Sequence, residues 1–448
     1  MRGVPPQLPA HLPLTGADCF LRAFEHEIRR CAGSSHSSQL VLRLGPGFDA
    51  GIFTKLVEQV ARAQPIVRAP IRRRLGVGPP AYCTRAAARR PLPEVAVHDS
   101  PAPDAALPAR FAARLNQPLS LRRGELLRFD IVRYAGGAAG TDLAASWAHL
   151  LFDGAGSECF VRWLDACFRG AATPEITPDP NELAPAERPE RSLRERGEGA
   201  TRWQRWVSAL GDPPMRSLAG PLRRTRQSLR YDVHTFSTQE TARIVASAQR
   251  RAGFLTPMLF YLSVAIRAHH AVFRARGVDP GSFVVPLPVN LRAKGAAAAV
   301  FRTHTSLLWF HVPSSETGSL DALLAVLKQQ RLDAIRSGHV ENGVYAMDFA
   351  RFAPTRLYAH LARSALRGEL CSFFFAYTGE FLDGLDHFLG SEIRNGFHVA
   401  PVPPSPGSCI AMSLYAGHLN ATHVFQDDVL TQREREIFAA QLREDLLA

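Results

Sequence analysis

The sequence predicts an α/β fold, two-layered (α+β) and divided into two similar subdomains. Three observations predict it. Strand-like and helix-like stretches alternate along both halves of the chain. At 448 residues the chain is too long for one ordinary core. Between the halves the composition shifts: residues 171–230 are rich in proline (Pro174, Pro178, Pro180, Pro185, Pro189), and charge alternates through 187–198. The expected plan is an N-terminal subdomain over 1–172, a linker or crossover over 173–229 and a C-terminal subdomain over 230–448. A composition of 46% hydrophobic and 21% charged residues suits a globular protein with a sizeable core.

Residues 14–30 read as a helix, because Phe20, Phe24 and Ile28 fall four apart on one face. A strand-like run follows at 39–44. Phe53, Leu56, Val57 and Val60 form a helical stripe that ends before Pro65. Residues 68–75 read as a solvated strand, and the Pro- and Ala-rich stretch 76–108 gives no periodic signal. A short helix is expected at 111–116 and a strand at 126–134. Gly136-Gly137-Ala138-Ala139-Gly140 turns that strand into the next, at 143–151, and 156–168 reads as a helix with Phe160 and Leu164 inward. One helix is expected in the crossover, at 200–210. The second half has the same texture. A strand at 231–237 leads into a helix at 238–251 opened by a capping threonine, Thr238. A strongly apolar helix runs from Pro257, at its first position, to about 274. Strands are expected at 283–289, 305–312, 371–378, 410–416 and 418–425, a helix at 319–337 with Leu320, Leu323 and Leu327 on one stripe, and a closing helix at 431–447. There is no internal repeat, no Rossmann fingerprint and no P-loop.

The formal charge is +12, yet only three of the basic residues are lysines (Lys55, Lys294, Lys328), and the arginines are scattered. A nucleic-acid binder would concentrate charge on one face and interleave aromatics, so that class is set aside. The functional side of the excess is attraction for an anionic partner, such as a coenzyme A phosphate or an acidic acyl carrier protein. The clusters Arg72-Arg73-Arg74 and Arg223-Arg224-Thr225-Arg226 read as solvated faces. The seven cysteines stand singly with no Cys-x-x-Cys, which argues against a disulfide scaffold and against a zinc or other metal site. Reduced thiols suit the cytoplasm. No apolar run of signal-peptide length follows Met1-Arg2-Gly3, and the longest apolar stretch, 254–266, is too short to span a bilayer. Peripheral membrane contact stays open.

Chemistry concentrates in His149-Leu150-Leu151-Phe152-Asp153-Gly154. Acyl transfer to a hydroxyl or amine needs a base that takes the acceptor's proton as it attacks a thioester carbonyl. Histidine titrates in the right range, and a strand end holds it rigidly. Asp153, past the turn, is not placed to orient the imidazole. Its expected role is an ion pair that fixes the loop. Gly154 is expected to let the chain turn sharply into the next helix. Sixteen histidines give a chance match on the order of a few per cent, so the strand before and the helix after are what raise its weight.

The segment Trp147-Ala148-His149-Leu150-Leu151-Phe152-Asp153-Gly154-Ala155-Gly156 resembles the His-x-x-x-Asp-Gly signature of the chloramphenicol-acetyltransferase-like superfamily. That group includes wax ester synthases, peptide-synthetase condensation domains and plant BAHD acyltransferases. Leu12-Pro13-Leu14-Thr15, Pro288-Val289-Asn290-Leu291-Arg292 and Phe374-Phe375-Ala376-Tyr377-Thr378-Gly379 resemble further segments of the group, in order along the chain. The resemblance implies two similar subdomains around a central tunnel. His149 would be the base, Arg292 the partner of Asp153, and Asn290 a support. Ser372, Tyr377 and Asn420 are candidate oxyanion or acceptor contacts. The implied substrates are an acyl-CoA or phosphopantetheine-linked acyl donor and a small alcohol or amine acceptor, with no bound cofactor. Wax ester synthases and condensation domains usually carry two adjacent histidines, and Ala148 replaces the first here. Two alternatives accompany this reading: a stand-alone condensation enzyme for carrier-bound aminoacyl or peptidyl units, and a catalytically silent binding protein of the same fold.

Overall fold

A computed structural model of the chain describes residues 9–73, 78–102, 107–174, 191–210, 214–222, 228–292, 300–364 and 366–448. Arg74, the run 223–226, Lys294 and the stretch 175–190, with four of the five named crossover prolines, lie outside them. Local chemistry sets the helix starts. At helix Gly16–Cys31, Thr15 accepts from the Asp18 amide and the Asp18 carboxylate accepts from the Thr15 amide. Ser192 with Glu195, Ser237 with Glu240 and Thr431 with Glu434 repeat this reciprocal cap at helices Leu193–Ala209, Thr238–Ala252 and Gln432–Leu447. The cap expected at Thr238 is thus Ser237, whose glutamate three positions on completes the box.

Six strands form the N-terminal sheet, in the order His387–Phe388, Ser391–Val399, Ser37–Leu44, Gly140–Ala148, Leu127–Tyr134, Glu94–Ser100. Only the last pair is parallel. Its central strands are buried on both faces, as their nearly unbroken apolar runs require. On one face Leu40, Leu42 and Leu143 pack with Phe53 of helix Ala50–Ala63 and Phe160 of helix Gly154–Phe168. On the other, Val41, Ala144 and Phe397 meet Leu229, Cys409 and Val424. These last three belong to the second sheet, ordered Phe374–Glu380, Ser408–Tyr415, His418–Gln426, Leu229–Thr235. The hairpin Ser282–Asn290 with Thr305–Pro313 completes the C-terminal half. Helix Pro257–Ala275, buried without a break from Leu259 to Ile266, forms the centre of that half's core.

Several expectations are corrected. The boundary at 173–229 does not separate the halves cleanly, because strands His387–Phe388 and Ser391–Val399 cross back into the N-terminal sheet. Strand 143–151 ends at Ala148, where the Leu151 amide bonds to the Ala148 carbonyl, so His149 lies in the following turn. Of the solvated strand expected at 68–75, Ile71–Arg73 is strand and follows a 3-10 turn, Pro65–Arg68, while 74–75 lie outside the described residues; the crossover helix begins at Leu193. Strand Glu94–Ser100 and helices His339–Ala350 and Thr355–Ser364 were not foreseen. All seven cysteines are free, and no helix among the described residues is long and apolar enough to cross a membrane.

One buried ion pair ties the first helix to the C-terminal half. The Arg302 guanidinium, 1% exposed, meets the fully buried Asp18 carboxylate at 3.1 Å and donates to the Pro13 carbonyl at 2.6 Å. The other Asp18 oxygen accepts from the Thr303 amide. Removing one partner of such a pair leaves an uncompensated charge, so Asp18→Ala is expected to cost about 3–5 kcal/mol in urea unfolding. Adding Arg302→Met should recover part of that loss.

Candidate active site

The turn 149–153 is pinned at every residue. The His149 amide donates to the His36 carbonyl at 3.0 Å. The Leu150 carbonyl accepts from the Tyr82 hydroxyl at 2.7 Å and the Leu151 carbonyl from the Arg302 amide at 2.6 Å. The Phe152 carbonyl accepts from the Trp147 indole at 2.8 Å. Asp153 caps helix Gly154–Phe168 by accepting from the Gly156 amide at 2.9 Å.

Arg292 grips Asp153 from the hairpin of the other half, with Nη1 to Oδ2 at 2.9 Å and Nη2 to Oδ1 at 2.8 Å. The His304 amide and the Thr305 hydroxyl also donate to Oδ2, at 2.9 and 2.8 Å. Burial alone would raise the Asp153 carboxyl. The Arg292 guanidinium and these hydrogen bonds outweigh it and hold the group down at about 2. Asp153 therefore stays ionised, with both carboxylate oxygens engaged. Asn290 lines the cavity and accepts from the Arg292 amide at 3.0 Å and its Nη1 at 3.3 Å, so it orients the guanidinium.

A cavity of about 360 Å³ opens between the halves, with His149 on its wall. Much of its lining is apolar: Phe20, Phe24, Leu307, Met347 and Phe374. Burial lowers the His149 imidazole below its usual 6.5 against the opposing pull of Asp153 and of the Phe152 and His149 carbonyls, so the ring is neutral near pH 7. Its Nδ1 is sealed from solvent without a well-aligned hydrogen bond, which leaves Nε2 to meet the cavity. Two further imidazoles, absent from the sequence-based reading, flank it. The His36 ring stands edge-on to His149, centroids 5.2 Å apart, and burial, followed by the repulsion His149 would exert once protonated, holds it well below 6.5. His398 is held at about 4 by the same two causes. The Ser157 hydroxyl donates to the Gly154 carbonyl at 2.6 Å, so the 2.9 Å contact between Ser157 Oγ and His398 Nε2 is donated by the imidazole. Neither histidine had a sequence signal, because each reaches the site through non-local strand pairing. Glu158, one helical turn beyond Gly154, also lines the cavity. Its i+4 spacing from Gly154 was the available signal.

The candidate oxyanion residues separate. Tyr377 lines the cavity, stacked on Tyr261 at 4.6 Å, and burial pushes its phenol up to about 12. Ser372 is not among the lining residues: its hydroxyl accepts from the Val284 amide at 3.0 Å and donates to the Met215 sulfur at 3.7 Å. Asn420 is likewise set back, in reciprocal bonds with Asn395 at 2.9 and 3.0 Å. A second cleft of about 540 Å³, between Arg43, Tyr231, His234 and Arg435, holds neither His149 nor Asp153. It takes Asn395 and Phe397 from the strand that sends His398 to the cavity. Among the described residues, no grouping of histidine, cysteine or acidic side chains could hold a metal ion.

No protein-family model matches the chain, and no curated protein does. Solved structures do. The trichothecene 15-O-acetyltransferase TRI3 from Fusarium sporotrichioides superposes with a TM-score of 0.68 at 15% identity, over 100% of this chain and 99% of its own. The first condensation domain of the calcium-dependent antibiotic synthetase, in complex with a substrate analogue, gives 0.70 at 15% identity, over 98% and 97%. The starter condensation domain of rhizomide synthetase, as a mutant in complex with C8-CoA and Leu-SNAC, gives 0.67 at 15% identity, over 98% and 93%. The chain thus has the two-subdomain α/β fold of chloramphenicol-acetyltransferase-like condensation domains and acetyltransferases, from end to end.

One glycine assignment changes. Gly154 has no left-handed backbone, and a Cβ there would make only ordinary contacts, with His398 Cε1 at 3.8 Å and with His398 Nε2 and Thr378 Cγ2 at 4.0 Å. At Gly156 a Cβ would press within 2.5 Å of the Val300 carbonyl and 2.9 Å of Arg292 Nη2. The position that demands glycine is therefore 156, because the Val300 carbonyl and the Arg292 guanidinium lie directly over it. Gly156→Ala is expected to cost about 1–3 kcal/mol by overpacking, while Gly154→Ala stays within about 0.5 kcal/mol. Paired urea titrations of the two variants check this.

Proposed function

We propose that the protein transfers an acyl group from a thioester, acyl-CoA or phosphopantetheine-bound, to the hydroxyl or amine of a small acceptor, with His149 as general base and no bound cofactor. The observation that carries the reading is the neutral His149 imidazole, its Nε2 open to a largely apolar cavity and its turn pinned from both halves. Nε2 takes the acceptor's proton as the nucleophile attacks the thioester carbonyl. The tetrahedral intermediate collapses, the thiolate leaves, and the imidazolium returns the proton to it. Tyr377, kept protonated by its raised pKa, is the donor we assign to the developing oxyanion. Fold neighbours that include an acetyltransferase, and a condensation domain holding C8-CoA, support this chemistry. The condensation-domain neighbours favour a second reading, a stand-alone condensation enzyme that joins carrier-bound aminoacyl or peptidyl units.

The test is thiol release from an acyl-CoA panel with mixed alcohol and amine acceptors. His149→Ala is expected to reduce acceptor-dependent release by about 10²–10⁴-fold with unchanged thermal stability. The base works as neutral imidazole, which dominates above its pKa. Since burial lowers that value from 6.5, kcat/KM should be flat from neutral to mildly alkaline pH and fall only on the acid side of 6.5. Release with carrier-bound donors alone would select the second reading. No His149-dependent release with either donor would leave a silent binding protein.

A further inference from the structure

The cavity holds a second carboxylate that the proposed chemistry does not use. Glu158 lies five positions beyond Asp153 and lines the same space. Among the described residues its carboxylate has one hydrogen bond, from the Leu382 amide to Oε2 at 2.9 Å, and no ion pair. Arg162, a cation whose charge acts on it, donates instead to the Asp383 carbonyl. Asp153, the other acid in the cavity wall, is saturated by Arg292, Thr305 and two backbone amides.

A carboxylate with one oxygen free in an apolar, partly closed space is costly unless a cation joins it. The strain shows in its titration: burial pushes Glu158 up to about 7, with the Leu382 amide and Arg162 opposing and Asp153 adding to the rise. We infer that Glu158 is a specificity-determining residue that receives an ammonium group of the acceptor while the acceptor's nucleophile faces His149. The acceptor is assigned rather than the donor because the carrier end of a thioester donor is anionic and would be repelled. The substrate class is thus a small acceptor with a basic nitrogen, such as an amino alcohol or a diamine. The word acceptor rests on the acyl-transfer reading; the cation site does not.

Calorimetric titration of hexylammonium against hexanol at pH 8 tests this, since the two probes differ chiefly in charge. Wild-type protein is expected to bind the ammonium at least about tenfold more tightly. Glu158→Gln keeps an acceptor for the Leu382 amide and should bring the two probes within about twofold. Equal binding by wild type, binding of neither probe, or a preference that survives Glu158→Gln overturns the proposal. The wild-type comparison stands even if the variant does not fold. Failure of the acyl-transfer reading would appear separately, as absent thiol release with the ammonium preference intact.

Discussion

The Asp153–Arg292 ion pair is the constraint on which the site depends. Asp153 ends the turn that carries His149, in the N-terminal half, and Arg292 leaves the hairpin of the C-terminal half. Both side chains are nearly sealed, at 7% and 6% exposure. Desolvating two such charges costs several kcal/mol per ion, and the pair alone would barely break even. Three more donors, from Gly156, His304 and Thr305, complete the carboxylate's coordination. The pair is therefore weak evidence for stability and strong evidence for registry. It allows only one placement of the hairpin over the start of helix Gly154–Phe168, and that placement fixes where the cavity lies relative to His149.

The setting of the proposed base follows from the same arrangement. A rigid turn places His149 against two other imidazoles, His36 and His398, each held neutral by burial. Three neutral rings can share a wall without repulsion, whereas one imidazolium would lower the basicity of the others. Burial thus keeps His149 ready to accept a proton rather than already carrying one. The Asp153 charge, followed by the carbonyls of Phe152 and His149, pulls in the other direction.

Much of this was legible in the sequence where signals are local. Helices with a local signal, such as the striped one after Thr15 and the apolar one with Pro257 at its first position, follow their patterns closely. His149, Asp153 and Arg292 were legible because their resemblance to a known pattern carries non-local information that spacing lacks. Strand Ser391–Val399 was not, since it is buried unevenly and pairs with Ser37–Leu44 from the far end of the chain. His36 and His398 became invisible with that pairing. Ser372 and Asn420 failed to reach the cavity because their strands turn those side chains toward backbone and side-chain partners elsewhere. His269 shows the reverse case. It is a buried core imidazole stacked on Phe373 at 3.7 Å and bonded to Ser408 at 2.9 Å, with no cavity to serve.

Asp153 and Glu158 show how environment alone divides identical chemistry. They sit on adjacent turns of one helix start and border one cavity. Burial raises both. One meets a guanidinium and three further donors and is held at about 2; the other meets a single amide and rises to about 7. A group held ionised across the whole working range can orient structure but cannot respond to what enters the cavity. A group near its midpoint responds to each charge that approaches, and a cation beside it would stabilise its ionised form. The fold therefore places a fixed acid where the halves lock and an adjustable one on the cavity wall, at the position we assign to substrate recognition, with the proposed base between them.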